Sequence, residues 1–132
     1  MEPQSSAVIL GSTLAAHPIV TSTAYSAAKA GLEAVVKVAA LTGAEKGLRV
    51  NLLHPGVVDT PMIRTDRPDG QSDQARLEAL AKLHLLGRIA QPEELADVVL
   101  DILKWTFATG SIVTVDGGLS DFSMLTSLEI AQ

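Results

Sequence analysis

The sequence predicts an α/β domain built on a parallel sheet. Three observations carry that prediction. Short continuous apolar runs at Ala7 to Gly11, Leu48 to Gly56 and Ser111 to Val115 lack the alternation of a half-exposed strand, as expected where both faces of a strand are covered. Longer stretches with helical spacing separate them. Aromatic residues make up only 3% of a chain that is 47% apolar, so Ala, Val, Leu and Ile must build the core. Strands alternating with helices imply right-handed crossovers.

The elements follow in order. "AVILG" is the first strand, with Ser12 at its carboxyl end. After a loop holding Pro18, residues from about Thr23 to Lys46 read as a long helix. Ala27, Ala30, Ala34, Val38 and Leu41 lie at helical spacing, and Gly43 and Gly47 act as stop signals. "LRVNLLHPG" is the second strand, expected to end by His54 because Pro55 has no amide to donate. From Val57 to Ser72 the composition turns to Asp, Pro, Thr, Arg and Gly, a long surface loop with the character of a substrate lid. It rises into a helix through "SDQARLEALAKLHLL", capped by Ser72 or Asp73, with Leu77, Leu80, Ala81 and Leu85 on one face. "QPEELADVVLDILKW" is the next helix, with Pro92 in its first turn, Glu93 and Glu94 favoured by the helix dipole, and Leu95, Val98, Val99 and Ile102 as its packing face. Ser111 to Val115 is the last strand, stopped by a turn at Asp116-Gly117-Gly118. The whole reads as one domain over residues 1–132 with a tail at 120–132, and a three-stranded sheet leaves two open apolar edges.

Composition narrows the function. A net charge of −5 with ten Lys and Arg against fifteen Asp and Glu offers no footprint for a phosphate backbone, which argues against nucleic acid. The absence of cysteine excludes disulfides and thiolate metal sites and suits a reducing compartment, so the cytoplasm is the expected location. The apolar stretch in "MEPQSSAVILG" is too short for a signal sequence or a membrane span. His17, His54 and His84 have no metal-ligand spacing and are expected in surface or turn positions. A hydrolase triad of Ser12 with His17 or His54 and Asp59 lacks the flanking glycines of a nucleophile elbow.

Tyr25 and Lys29 stand four positions apart on the long helix, one turn from each other on the same face. Ser12 precedes Tyr25 by thirteen positions, at the end of the first strand, where ligands of open α/β sheets bind. Together with Asn51, Pro55, Gly56 and Thr60 in "NLLHPGVVDT" and the closing "TVDGG", these residues resemble the short-chain dehydrogenase/reductase family, from about Ala7 to Leu119. The resemblance implies the C-terminal half of a Rossmann-like doubly wound sheet and hydride transfer between NAD or NADP and a carbonyl or alcohol. Tyr25 would then be the proton donor, or the base in the reverse direction. A free tyrosine titrates near 10, and a neighbouring ammonium favours its phenolate. Lys29 would supply that charge and hold the cofactor's ribose hydroxyls. Ser12 would hold the substrate oxygen, although a strand-end serine also serves as a simple turn cap. Pro55 and Gly56 would approach the nicotinamide and Val58 and Thr60 its carboxamide or phosphate, an ordinary Pro-Gly turn being the plainer alternative.

The family's opening half has no counterpart here. No Thr-Gly-x-x-x-Gly-x-Gly turn, no Asn-Asn-Ala-Gly stretch and no helix Asn of the catalytic set occur, so the pyrophosphate cradle at a helix N-terminus is missing. Two expectations follow. One is an oxidoreductase half that works only with a nucleotide-binding half. The other is a non-catalytic interaction module. Both readings expect self-association through helices 23–46 and 92–105 and the last strand, and they differ on cofactor binding.

Overall fold

The computed structural model describes residues 5–64 and 73–120. Strand β1 (Ser5–Leu10) leads through two short 3-10 turns, Thr13–Ala15 and Val20–Ser22, into helix α1 (Thr23–Ala44). Strand β2 (Leu48–Pro55), helices α2 (Pro61–Arg64), α3 (Asp73–Ala81) and α4 (Pro92–Lys104), and strand β3 (Ile112–Val115) complete the order. The sheet runs β1-β2-β3, parallel throughout, with Ser5 opposite Leu48 and Leu52 opposite Ile112. The α/β parallel architecture expected from the sequence is present.

β2 is central and buried from Val50 to His54. Alternation along it sends Leu52 to one face and Leu53 to the other, each fully buried. Leu52 and Val50 pack with Val36 and Leu32 of α1, while Leu53 packs with Leu95 and Ile102 of α4. The α4 face read from its periodicity is therefore the packing face. Asn51, also fully buried, donates from Nδ2 to the Ala108 carbonyl at 3.0 Å and accepts the Ser111 amide at 3.1 Å, which pins the entry into β3. Gly47, with φ +69°, follows α1 in the left-handed conformation that glycine adopts without penalty.

Four expectations are corrected. The stripe Ala27, Ala30, Ala34, Val38 and Leu41 faces outward, and the sheet side of α1 carries Ser26, Lys29, Leu32, Val36, Ala40 and Gly43. The helix is apolar nearly all round, so spacing alone fits both stripes. β2 runs on to Pro55, because Gly56 rather than Pro55 donates to β3, its amide reaching the Val115 carbonyl at 3.0 Å. α1 ends at Ala44 and α3 at Ala81, short of Lys46 and Leu86. The loop after β2 is also better fixed than its polar composition suggests. Val58 bridges Ala90, and Asp59 N donates to the Ala90 carbonyl at 2.9 Å. Residues 65–72 of the expected lid and 121–132 of the expected tail lie outside the described residues.

Glu94 illustrates how α4 is started. Its carboxylate accepts the Gln91 amide at 2.8 Å and a bidentate pair from Arg88 at 2.7 and 2.8 Å. The Arg88 guanidinium, and then the Gln91 amide, hold the carboxyl down from its ordinary 4.5 to about 2. A depressed carboxyl stabilises the fold above its ordinary value, and the contribution is lost as pH falls towards the folded one. The urea midpoint is therefore expected to fall as pH drops from about 5 to about 2, with a shallower fall in Glu94→Gln. An identical pH dependence in the variant would remove Glu94 from this role.

Candidate active site

The site forms at the carboxyl ends of the strands. β1 ends at Leu10, and Gly11 N donates to the Leu53 carbonyl at 2.7 Å before the chain turns at Ser12. Ser12 is buried, and its Oγ accepts the Leu14 amide at 3.2 Å, capping the following 3-10 turn. The turn-cap role is thus real, and it leaves the hydroxyl proton available to donate.

α1 lies alongside this turn. Lys29 Nζ donates to the Leu10 carbonyl at 2.9 Å and sits 5.6 Å from the centre of the Tyr25 ring, within cation-π range. Tyr25 itself is 42% exposed. Lys29 is thus set against the last carbonyl of β1, two residues before Ser12, with the Tyr25 ring beside its ammonium.

The segment after β2 is placed by packing. A Cβ on Gly56 would stand 2.8 Å from Asp116 Cα and 2.9 Å from its carbonyl oxygen, so the close approach seen is to the backbone after β3. Gly56→Ala is expected to force the ends of β2 and β3 apart and cost about 1–3 kcal/mol in a urea titration; an unchanged midpoint would show that the turn yields freely. Val58 packs against the Leu53, Leu95 and Ile102 cluster. Thr60 leads into α2, its carbonyl accepting the Ile63 amide at 3.1 Å. Asp59 is gripped by Arg64 through two 2.7 Å contacts, and that guanidinium lowers its pKa.

Sequence reasoning missed two histidines. His54 and His84 are both buried at 4% exposure, not surface residues. His54 Nδ1 accepts the Ser12 amide at 2.9 Å, and its Nε2 lies 3.2 Å from Glu33 Oε1. A hydrolase arrangement is therefore not formed, since His54 meets the backbone of Ser12 rather than its hydroxyl and Asp59 is held by Arg64. His84 Nε2 accepts the Val57 amide at 3.3 Å while Nδ1 faces the Leu80 carbonyl at 2.8 Å, tying the end of α3 to the loop after β2. The signal available in sequence was position alone: His54 belongs to a strand buried on both faces.

A cleft of about 300 Å³ opens over the strand ends, lined by Thr13, His17, His54, Thr114, Asp116 and Ser120. Burial raises the Asp116 pKa, but Ser120, through its hydroxyl and amide, and the Gly118 amide together leave it below the ordinary value. Asp116 thus caps the final turn, as its place before Gly117 and Gly118 suggests. Among the described residues no group of His, Asp or Glu is arranged to hold a metal ion, and no helix is long and apolar enough to cross a membrane.

Parallel strands, flanking helices and polar side chains gathered at the carboxyl ends define the Rossmann-like, doubly wound class. A family profile described as Enoyl-(Acyl carrier protein) reductase matches residues 1–120. Cyclohexanol dehydrogenase of an Acinetobacter species is 43% identical over 95 residues, covering 70% of this chain and 34% of that protein. A short chain dehydrogenase family protein from Francisella tularensis superposes with a TM-score of 0.81 at 32% identity, over 89% of this chain and 52% of the other. L-sorbose reductase from Gluconobacter frateurii, solved with NADPH and L-sorbose, gives 0.80 at 27% identity, over 87% of this chain and 47% of its own. The chain belongs to the short-chain dehydrogenase/reductase family of oxidoreductases. It spans less than half the length of curated relatives such as the cyclohexanol dehydrogenase and the Sinomonas cyclohexanicum cis-4-hydroxycyclohexanecarboxylate dehydrogenase.

Proposed function

We propose that this chain is the catalytic half of an NAD- or NADP-dependent oxidoreductase acting on a small carbonyl compound or secondary alcohol. The observation that carries the reading is the Tyr25-Lys29 pair, anchored through Nζ to the Leu10 carbonyl two residues before Ser12. Tyr25 gives its phenolic proton to the substrate oxygen on reduction and takes it back on oxidation. Lys29 stabilises the phenolate that remains. Ser12, with its Oγ lone pair engaged by Leu14, donates its hydroxyl proton to the same oxygen and holds it at the phenol.

When bound, a nicotinamide would supply or accept the hydride. The residues present fit one end of such a cofactor: an ammonium and a phenol at the strand ends suit ribose hydroxyls, and Pro55, Gly56, Val58 and Thr60 would border the ring. The pyrophosphate end finds no glycine-rich turn in this sequence. We assign it to a nucleotide-binding half joined along the edge of β1, which pairs only with β2 among the described strands. The chain is then a truncated form, inactive alone. Titration with NADH and NADPH, followed by nicotinamide fluorescence, is expected to show no saturation by the 132-residue chain at micromolar cofactor, and saturation once that half is supplied. Saturable micromolar binding by the chain alone would overturn the half-site assignment.

A second reading rests on the outward stripe of α1. Val38 and Leu41 are 59% and 76% exposed, and Leu100 and Trp105 on and after α4 are also exposed. In that reading the chain is a non-catalytic oligomerisation module whose copies meet through these helices and β3. The carbonyl or alcohol partner is the discriminator, because a module binds neither substrate nor cofactor in any assembly. A cytoplasmic location accords with both readings.

A further inference from the structure

On the reading that Ser12 and Tyr25 act on one substrate oxygen, their relative placement decides the rate, since misplacement by about 1 Å can cost about 100-fold. Three observations show what fixes that placement. The backbone ladder of β1 ends where Gly11 N donates to Leu53, and the next amide, that of Ser12, goes to the His54 ring at 2.9 Å. The ring can lie there only because residue 11 has no side chain: a Cβ would stand 2.2 Å from Nδ1 and 2.5 Å from Cε1. The far side of the ring meets Glu33, which lies on α1 four residues beyond Lys29 and eight beyond Tyr25. Tyr25, Lys29 and Glu33 therefore share one face of α1.

The chemistry of these contacts is directional. The Ser12 amide can only donate, so Nδ1 must be the acceptor and bear no proton. The ring proton then sits on Nε2 and is donated to the Glu33 carboxylate. α1 is thereby pinned to the strand end twice, one helical turn apart, by Lys29 on the Leu10 carbonyl and by Glu33 through the imidazole on the Ser12 amide.

We propose that Glu33 and His54 are positioning residues, a hydrogen-bonded strut that sets Ser12 in register with the Tyr25-Lys29 face. Neither touches the substrate oxygen. The strut acts by holding the tautomer and the strand end, much as outer-shell carboxylates orient histidines elsewhere.

The first measurement is on the 132-residue chain itself. Long-range ¹⁵N-¹H correlation of the His54 imidazole is expected to show the Nε2-H tautomer, and an Nδ1-H or rapidly interconverting ring overturns the proposal. Hydrogen exchange at the Ser12 amide is expected to be at least tenfold slower in the wild type than in Glu33→Leu, with Glu33→Gln, whose carbonyl still accepts from Nε2, close to the wild type; equal exchange in all three also overturns it. The second measurement is kinetic, in an assembly that turns over. Glu33→Leu and His54→Leu are expected to lower kcat about 10- to 100-fold with cofactor affinity changed less than about threefold. His54→Asn, whose side-chain oxygen takes the place of Nδ1, is expected to recover part of the loss. Unchanged kcat in both leucine variants sinks the strut. If no assembly turns over while the tautomer and exchange results hold, the enzymatic reading fails and the strut stands as a structural feature.

Discussion

Tyr25→Phe is expected to lower kcat by about 10²- to 10⁴-fold while leaving the urea midpoint nearly unchanged. That range is what a positioned general acid or base contributes to a proton-transfer step. The substitution removes one oxygen from a ring that is 42% exposed and leaves the ring itself in place. The cation-π contact with Lys29 at 5.6 Å survives as well, because it depends on the ring face rather than the hydroxyl. Catalysis and stability are thus expected to separate cleanly. Retained turnover in an active assembly would remove Tyr25 from the acid's role, and a large fall in stability would mean the hydroxyl has a structural partner.

Leu53→Ala is expected to have the largest effect on folding, about 2–5 kcal/mol in a denaturant titration, as for other fully buried leucines. Leu53 is fully buried on the central strand and forms, with Leu95 and Ile102, the core between the sheet and α4. A domain of this size has a total stability of about 5–15 kcal/mol, so the loss is a large share of it. The same substitution would loosen the anchor for Gly11, whose amide is held by the Leu53 carbonyl. Ser12 follows immediately. A loss below about 1 kcal/mol would show that α4 settles into the space left behind.

These two variants act on the two sides of one design. The core sets the strand ends in place, and α1 brings its polar face to them. Lys29 spans the junction, since its Nζ meets the Leu10 carbonyl while its charge lies beside the Tyr25 ring.

The order of strands and helices was legible in the sequence because each apolar run is uninterrupted and each boundary carries its own signal. Pro92 opens α4, Gly47 lies in the turn that follows α1, and Asp116 with two glycines ends β3. The relative placement of Ser12, Tyr25 and Lys29 was legible for the same kind of reason: a four-residue spacing fixes a shared helical face, and a residue just past a parallel strand lies at the carboxyl edge of the sheet. The packing side of α1 was not legible. Its composition is apolar around most of the circumference, so the choice between the Val36 stripe and the Val38 stripe waits on which one meets β2. The reach of β2 to Pro55 also depended on a partner, namely which residue donates to Val115.

The buried polar contacts belong wholly to the tertiary structure. Glu33, His54 and Ser12 are separated by 21 and 42 positions along the chain, and no local spacing relates them. Asn51 is likewise joined to Ala108 and Ser111 only because β2 and β3 lie side by side. By itself the sequence determined the α/β order and the helix that bears the tyrosine and the lysine, since both follow from periodicity within one segment. Only the folded chain decided which face of that helix meets the sheet and which histidine stands behind the serine. Those are relations between segments, set by burial and by the need of each buried donor to find an acceptor.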